Sequence, residues 1–317
     1  ITILLLYPVL MLSNSVGTVA GQWLEVETGI RSVGMGGVQT ASGRGVSASF
    51  YNPASLSYIE GHEAFFNKTE YFAGISHSFL GYGRQLNDWE TLGLNVFFVD
   101  GGDIPRLSET NFTEEGSMGY YKAYSFLVQG AYSRKFGDKL RAGVGFRYFR
   151  EDIDNMNMQG SAFNLGLHYD LILGLKLGAS LNNLGSEIRF EGAGLVIPDE
   201  EGARITEDFP ILSVARIGIE SQLLGDELNA LITNNLIGLI ITADIIKHND
   251  SDPYGALGAE VSMMNMFFAR AGAHLNHDTA GLSAGLGLHF KGFEIDYSIS
   301  QYGDLGSTGQ FGIGVKF

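Results

Sequence analysis

The chain has no cysteine, which excludes disulfides, iron–sulfur clusters and thiolate zinc sites and leaves its redox compartment open. Only 6 prolines stand beside 44 glycines in 317 residues, a balance that argues against a long-helix protein, whether the length makes one large domain or two ordinary ones. Basic residues are few: 20 Lys and Arg against 35 Asp and Glu leave a net charge of −15. Nucleic acid needs a basic face that displaces counterions, so it is excluded as a partner. The apolar runs Ile3–Leu12 and Leu236–Ile241 are both shorter than the ~18 residues of a membrane-spanning helix. Hydrophobic residues make up 45% and charged ones 17%, yet mean hydropathy is only +0.08. Apolar and polar residues that alternate along membrane-barrel strands cancel in this way.

Such alternation fills the chain from Glu63 onward. Fourteen strands are expected, at about 63–72, 74–86, 90–100, 121–136, 139–151, 158–170, 173–184, 210–223, 228–247, 254–262, 265–275, 279–290, 293–302 and 307–317. In the fourth, Tyr124, Phe126, Val128 and Tyr132 oppose Ser125, Gln129 and Ser133; in the twelfth, Leu282, Leu286, Leu288 and Phe290 oppose Ser283, Gly285, Gly287 and His289. The last strand sets Phe311, Ile313, Val315 and Phe317 on one face and Gln310, Gly312, Gly314 and Lys316 on the other. An aromatic terminus on such a strand is the barrel-assembly signal of bacterial outer-membrane proteins. This strand must meet the first to close the cylinder, because an open edge cannot be hydrated in lipid. The even-numbered connections are tight, at Asn87-Asp88, Gly137-Asp138, Leu171, Gly225-Asp226, Met264 and Lys291-Gly292. The odd ones include the long pieces Gly101–Tyr120 and Gly185–Phe209. Short turns on one side, shared with the C-terminus, and long loops on the other are the outer-membrane arrangement. The run Leu236–Ile241 is apolar on both faces, so either its inner face packs a plug or ligand, or the register shifts at Asn234-Asn235.

Residues 1–20 carry an apolar run and then small polar residues ending Thr18, Val19, Ala20, and read as a truncated signal peptide cleaved after Ala20, with a buried strand or helix as the alternative. Gly29–Ser57 is rich in small residues and lacks strand alternation, as suits an irregular segment passing close to other backbone. It holds the pattern G-x-R-x-x-G-M-G-G from Gly29 to Gly37, then small residues, Phe50-Tyr51 and Asn52-Pro53-Ala54. Together with the strand pattern running to Phe317, this resembles the FadL-type outer-membrane proteins, most closely their PorV/PorQ-like branch.

Motifs for chemistry are weak. Gly43–Ala48 fits G-x-G-x-x-A without the βαβ setting that a dinucleotide needs. Ser283 sits in G-x-S-x-G but mid-strand, where no nucleophile elbow forms. His274, His277 and Asp278 match no zinc spacing, and the stretch Glu187–Asp208, with seven acids and two arginines, reads as a solvated loop or a calcium site. No enzyme activity, metal or cofactor is expected. More telling are charges at inward parity: Arg141, Arg147, Lys176, Arg216, Glu220, Arg270, Glu294 and Asp296. Facing lipid, an Arg or Lys would cost about 2–4 kcal/mol near mid-membrane. The arginines are candidates either for a ligand's carboxylate or for paired plug contacts.

The expectation is an all-β, fourteen-stranded, up-and-down antiparallel transmembrane barrel over residues 63–317, in the bacterial outer membrane, with 21–62 as an N-terminal plug in the lumen. The resemblance implies passive uptake of hydrophobic molecules such as long-chain fatty acids, gated by a hatch at Gly34, Met35, Gly36, Gly37, Asn52, Pro53 and Ala54. Its PorV-like branch implies instead a shuttle that binds secreted protein cargo for a type IX secretion system. Partners under either reading are outer-membrane lipid, the barrel-assembly machinery and a hydrophobic small molecule or cargo protein.

Overall fold

The computed structural model describes residues 19–107, 119–172, 174–192, 206–225 and 230–317. The expected signal peptide lies almost wholly outside the described residues, as do residues 193–205 of the acidic loop. Fourteen strands form the wall: β1 (His62–Glu70), β2 (Ser76–Asn87), β3 (Glu90–Pro105), β4 (Tyr120–Phe136), β5 (Leu140–Ile153), β6 (Met156–Asp170), β7 (Leu175–Gly185), β8 (Val214–Gly225), β9 (Ile237–His248), β10 (Tyr254–Met263), β11 (Phe267–Leu275), β12 (Leu282–Phe290), β13 (Phe293–Gln301) and β14 (Ser307–Lys316). Each pairs antiparallel with the next, and β14 returns to β1 with Glu63 opposite Lys316 and Glu70 opposite Gly309. The cylinder is closed, so none of these strands presents a bare edge to lipid.

Alternation explains both surfaces. On β4, Tyr124 and Val128 are exposed while Ser125, Gln129 and Ser133 are buried; on β12, Leu282, Leu286 and Leu288 face out and Ser283 in. The outward face is a belt of Leu, Ile, Val, Phe and Tyr, with Leu286 65% and Leu80 54% exposed. Water would not tolerate so continuous an apolar surface, but acyl chains do.

Two connections depart from the expected sorting. The β5–β6 connection on the long-loop side is the two-residue turn Asp154-Asn155, made possible by the positive φ of Asp154. On the short-turn side, β9 begins at Ile237 and not near 228, so the chain between β8 and β9 is long. Part of it, Ile232–Thr233, lies parallel beside Leu224–Gly225. The run Leu236–Ile241 does contain a register shift, at Leu239/Ile240 and not at Asn234-Asn235. The extra residue is Leu223 of β8, and β9 itself keeps its alternation: Ile237 and Ile241 are exposed on the wall, and Ile240, of opposite parity, lines a cavity of charged side chains.

Residues 20–59 lie against inward-facing side chains and are almost entirely buried from Thr28 on. The segment is built of single turns, Gln22–Glu25, α1 (Ile30–Val33), α2 (Gly45–Ala48) and Pro53–Tyr58, because its small residues favour close approach over long helices. Leu24, Ile30, Val46, Phe50, Tyr51, Leu56 and Ile59 pack with Phe65, Phe79, Phe97, Leu127 and Phe149 of the wall. Met35 and Val38 form a second cluster with Leu212, Val214, Ile246 and Ala256. At about 1.5–3 kcal/mol for each fully buried large apolar side chain, these contacts outweigh any single polar link.

Candidate functional site

The expected hatch residues sit where wall glycines make room for backbone. Met35 is wholly buried, and its carbonyl oxygen lies about 2.5 Å from where a Cβ on Gly258 would be. Gly36 and Gly37, with φ of 73° and 75°, complete the turn: Gly36 N donates to Ser283 Oγ at 2.8 Å. The serine of G-x-S-x-G thus has a strand residue's role. Gly34 lies against Gly285. Asn52 Nδ2 donates to Thr40 O at 2.8 Å, and its Oδ1 accepts from Ala54 N at 3.1 Å, capping the Pro53–Tyr58 turn. Pro53 and Ala54 rest on Gly143.

The four wall arginines do not converge on one site. Arg141 bonds Asp170 and lies over the Tyr58 ring at 4.5 Å. Arg147 donates to Gln129, Asn183 and the Phe50 carbonyl, its guanidinium 4.1 Å from the Phe50 ring centroid. Arg216 lies 5.3 Å over Tyr51. Arg270 bridges Glu260 at 2.7 Å and Asp296 at 2.5 Å. Three of the four stack on a ring of the inner segment, at Tyr58, Phe50 and Tyr51.

Arg31, Arg44, Glu260 and Asp244, which the sequence did not single out, tie the segment to the wall together with the inward charges Glu220 and Lys176. Arg31 clasps Glu260 with two bonds of 2.9 Å, and Arg44 clasps Glu220 at 2.8 and 3.1 Å, with Lys176 at 3.5 Å. Asp244 Oδ2 accepts from Gln39 N, Thr40 N and Thr40 Oγ1 at 2.9, 2.9 and 2.7 Å. Glu260 and Asp244 each carry a charge at inward parity in a strand otherwise small or apolar, which is the signal that could have found them.

Among the described residues, three potential metal-ligating groups come together at His289, Glu294 and Asp296, not at His274 and His277. Arg270 already meets Asp296, and Lys316 meets Glu294 at 2.6 Å, so cations of the chain supply that charge. Of the acidic loop, Arg189 pairs with Glu191 and Asp208. The last strand faces as expected, with Phe311 and Ile313 on the exposed wall and Val315 partly covered. Phe317 stacks on His62, ring centroids 5.1 Å apart.

Two cavities flank the segment. At the long-loop end, about 220 Å³ is enclosed by Gln22, Glu25, Glu27, Tyr71, Tyr254, His274 and their neighbours. Glu25 lies 3.2 Å from His248, and burial pushes its carboxyl up to about 7 despite the opposing charge of Arg216. Burial also pushes the Glu27 carboxyl up, but the charge and hydrogen bond of His274 outweigh it and hold Glu27 below the usual range. At the short-turn end, about 360 Å³ is lined by Arg31, Arg44, Glu63, Phe65, Glu260 and Arg270 among others. Between the two runs a seam of rings with centroids 5.4–6.3 Å apart: Tyr302 and Tyr71, then His77, Phe97, Phe50, Phe79 and Phe65, with Trp23 stacked on Phe97. The ring seam and the charged short-turn cavity meet at Phe65.

No protein-family model matches the chain, and none of the curated proteins does. Solved structures match over nearly its whole length. The toluene transporter TbuX of Ralstonia pickettii superposes with a TM-score of 0.59 at 13% identity, covering 92% of this chain and 99% of that one. The toluene transporter TodX of Pseudomonas putida gives 0.56 at 13%, covering 96% and 98%. A FadL homologue of Pseudomonas aeruginosa gives 0.54 at 14%, covering 92% and 98%. At these identities the likeness is one of fold. That fold, closed and belted with lipid-facing side chains, is an outer-membrane barrel and belongs in a bacterial outer membrane.

Proposed function

We propose that the chain is a passive route for hydrophobic small molecules across the outer membrane, with residues 21–62 serving as its hatch. The observation that carries the reading is the aromatic seam, which leads from the long-loop cavity to Phe65 at the short-turn cavity. An apolar solute gains about 0.8 kcal/mol for each CH₂ it buries, so a greasy path serves it better than a wet pore. Closed by Phe50 and its neighbours, the seam offers passage only when the segment shifts, and the small residues of Gly34–Gly37 suit a backbone that must repack. Toluene, the solute of the matched transporters TbuX and TodX, and long-chain fatty acids both fit such a path. On this reading the chain is not an enzyme. The PorV-like shuttle has the resemblance of the N-terminal motif and strand pattern behind it, and the aromatic seam favours the solute route.

The absence of cysteine makes the hatch testable. The hydroxyls of Ser57 and Ser133 are in direct contact, one on the segment and one on β4, so Ser57→Cys with Ser133→Cys creates a pair able to form a disulfide. Uptake of labelled toluene and of a labelled long-chain fatty acid is measured in cells expressing the chain. Oxidation is expected to bring uptake by the double variant to the empty-vector rate and reduction to restore it. Equal uptake oxidised and reduced removes the hatch, and wild-type uptake no faster than empty vector removes the solute route.

A further inference from the structure

A patch of polar side chains on the inner wall lacks hydrogen-bond partners among the described residues. Thr69 Oγ1 on β1, both ring nitrogens of His77 on β2, Ser298 Oγ on β13, and Thr308 Oγ1 and Gln310 Oε1 on β14 are all unpaired. None of these residues is more than 2% exposed. Strand register makes them neighbours: Thr69 is opposite His77 on one side and Gln310 on the other, and Gln310 is opposite Ser298. The inner segment covers them, since Gln310 Nε2 donates to Glu27 O at 3.2 Å and Asn67, next inward on β1, donates to Thr28 O. Tyr71 of the long-loop cavity touches the His77 ring, which in turn meets Phe97 of the seam.

Buried polar atoms are nearly always satisfied, so a contiguous group of them without protein partners is a place for ordered water or a bound polar group. Building on the uptake reading above, we propose that this patch seats the polar head of the transported molecule, and that the head is an uncharged hydrogen-bonding group, an alcohol, phenol or amide, on an apolar body. Imidazole and hydroxyl groups both donate and accept, and the Gln310 oxygen accepts, which matches a hydroxyl or amide. A carboxylate finds no cation in the patch and must first pass Glu25 and Glu27, whose field already engages Arg216. An ammonium head is held by those two carboxylates before it reaches the unpaired atoms. A bare hydrocarbon leaves every one of these atoms unpaired. The body of the solute lies along Tyr71, Phe97 and Phe79, and the head is admitted when Glu27 and Thr28 lift from Gln310 and Asn67.

The test compares probes that share one chain length: labelled dodecane, 1-dodecanol, dodecanoate and dodecylammonium, taken up by cells expressing the full chain. The alcohol is expected to enter about tenfold faster than the other three, the scale of one or two hydrogen bonds made at the patch. His77→Phe with Thr69→Val is expected to bring the ratio of alcohol to hydrocarbon close to one. Because that variant could fail to fold, a density map of the wild-type protein with 1-dodecanol is the second measurement, with the hydroxyl expected within hydrogen-bond reach of His77 or Thr69. Ordered water alone at the patch, or a charged probe entering fastest, overturns the proposal. Equal entry of all four probes above the empty-vector rate overturns it while leaving the uptake reading standing. Entry of all four at the empty-vector rate sinks both.

Discussion

Replacing Gly178 and Gly272 by alanine is expected to unseat the inner segment while sparing the wall. A Cβ on Gly272 would overlap the Met35 carbonyl carbon and Gly36 N, and one on Gly178 would overlap the Thr40 carbonyl. Neither glycine has a positive φ, so alanine is compatible with both strands and the whole penalty falls on the seat. Overpacking of this kind costs about 1–3 kcal/mol per site. The two sites meet different residues from different strands, so their effects add to about 2–6 kcal/mol. The equilibrium for lifting the segment then rises by a factor of roughly 30 to 2 × 10⁴. Amide hydrogen exchange reads this directly: protection of residues 28–58 falls by that factor while β4–β6 keep theirs, and conductance in planar bilayers rises as the bore opens. Gly130→Ala is the control, because an added Cβ there meets nothing within 4 Å. Protection of the segment within threefold of wild type in the double variant would refute the claim that these glycines hold it.

Asp244→Ala removes the acceptor of Gln39 N, Thr40 N and Thr40 Oγ1. Leaving such donors unpaired costs about 1–3 kcal/mol each before relaxation. Exchange at residues 39–40 is expected to quicken at least tenfold, and an unchanged rate would show that water replaces the carboxylate freely. Glu25 gives a pH dependence. Its folded-state pKa is raised from 4.5 to about 7, so the segment gains from the neutral acid fully below 4.5 and loses that gain as pH climbs through about 7. Exchange protection at residues 20–27, corrected for the intrinsic rate, is expected to drop between pH 6 and 8 in wild type and to stay level in Glu25→Gln. A drop of equal size in the variant assigns the effect to another group.

Fold was far more legible in the sequence than site. Strand parity is a local property: Tyr124, Val128 and Tyr132 against Ser125, Gln129 and Ser133 settle which face meets lipid without knowledge of any partner. Where local signals gave out, the errors followed. Asp154-Asn155 lacks the glycine of a typical hairpin turn, yet Asp154 adopts positive φ and closes β5 to β6 in two residues. The start of β9 was blurred because Leu231 and Ile232 continue the apolar character of Leu236–Ile241, while the strand itself waits for Ile237. The clasps Arg31–Glu260 and Arg44–Glu220 join residues 229 and 176 positions apart, and nothing near either end of such a pair names the other. The closure of β14 on β1 was legible, but the unpaired patch was not, since it depends on the exact register of that closure and on Glu27 and Thr28 covering Gln310 and Asn67.

The ion pairs of the short-turn cavity supply the last test, because they bear on what holds the inner segment in place. Glu260 is shared by Arg31 of the segment and Arg270 of the wall, and Arg270 also has Asp296, whereas among the described residues Arg31 otherwise donates to the Ser42 carbonyl at 2.7 Å. Glu260→Gln therefore strands Arg31 in a partly buried place, and breaking one member of a buried pair costs about 3–5 kcal/mol. Arg31→Met removes the cation and leaves Glu260 its bond to Arg270, so it should cost clearly less. Combining the two relieves the stranded charge, and the double variant should be more stable toward segment exchange than Glu260→Gln alone, with a coupling of about 1–3 kcal/mol. Raised salt should weaken the clasp only slightly, as the pair is screened poorly where Glu260 is buried. If the double variant exchanges as fast as the sum of the singles, the clasp is incidental, and the seat rests on glycine fit and apolar packing alone.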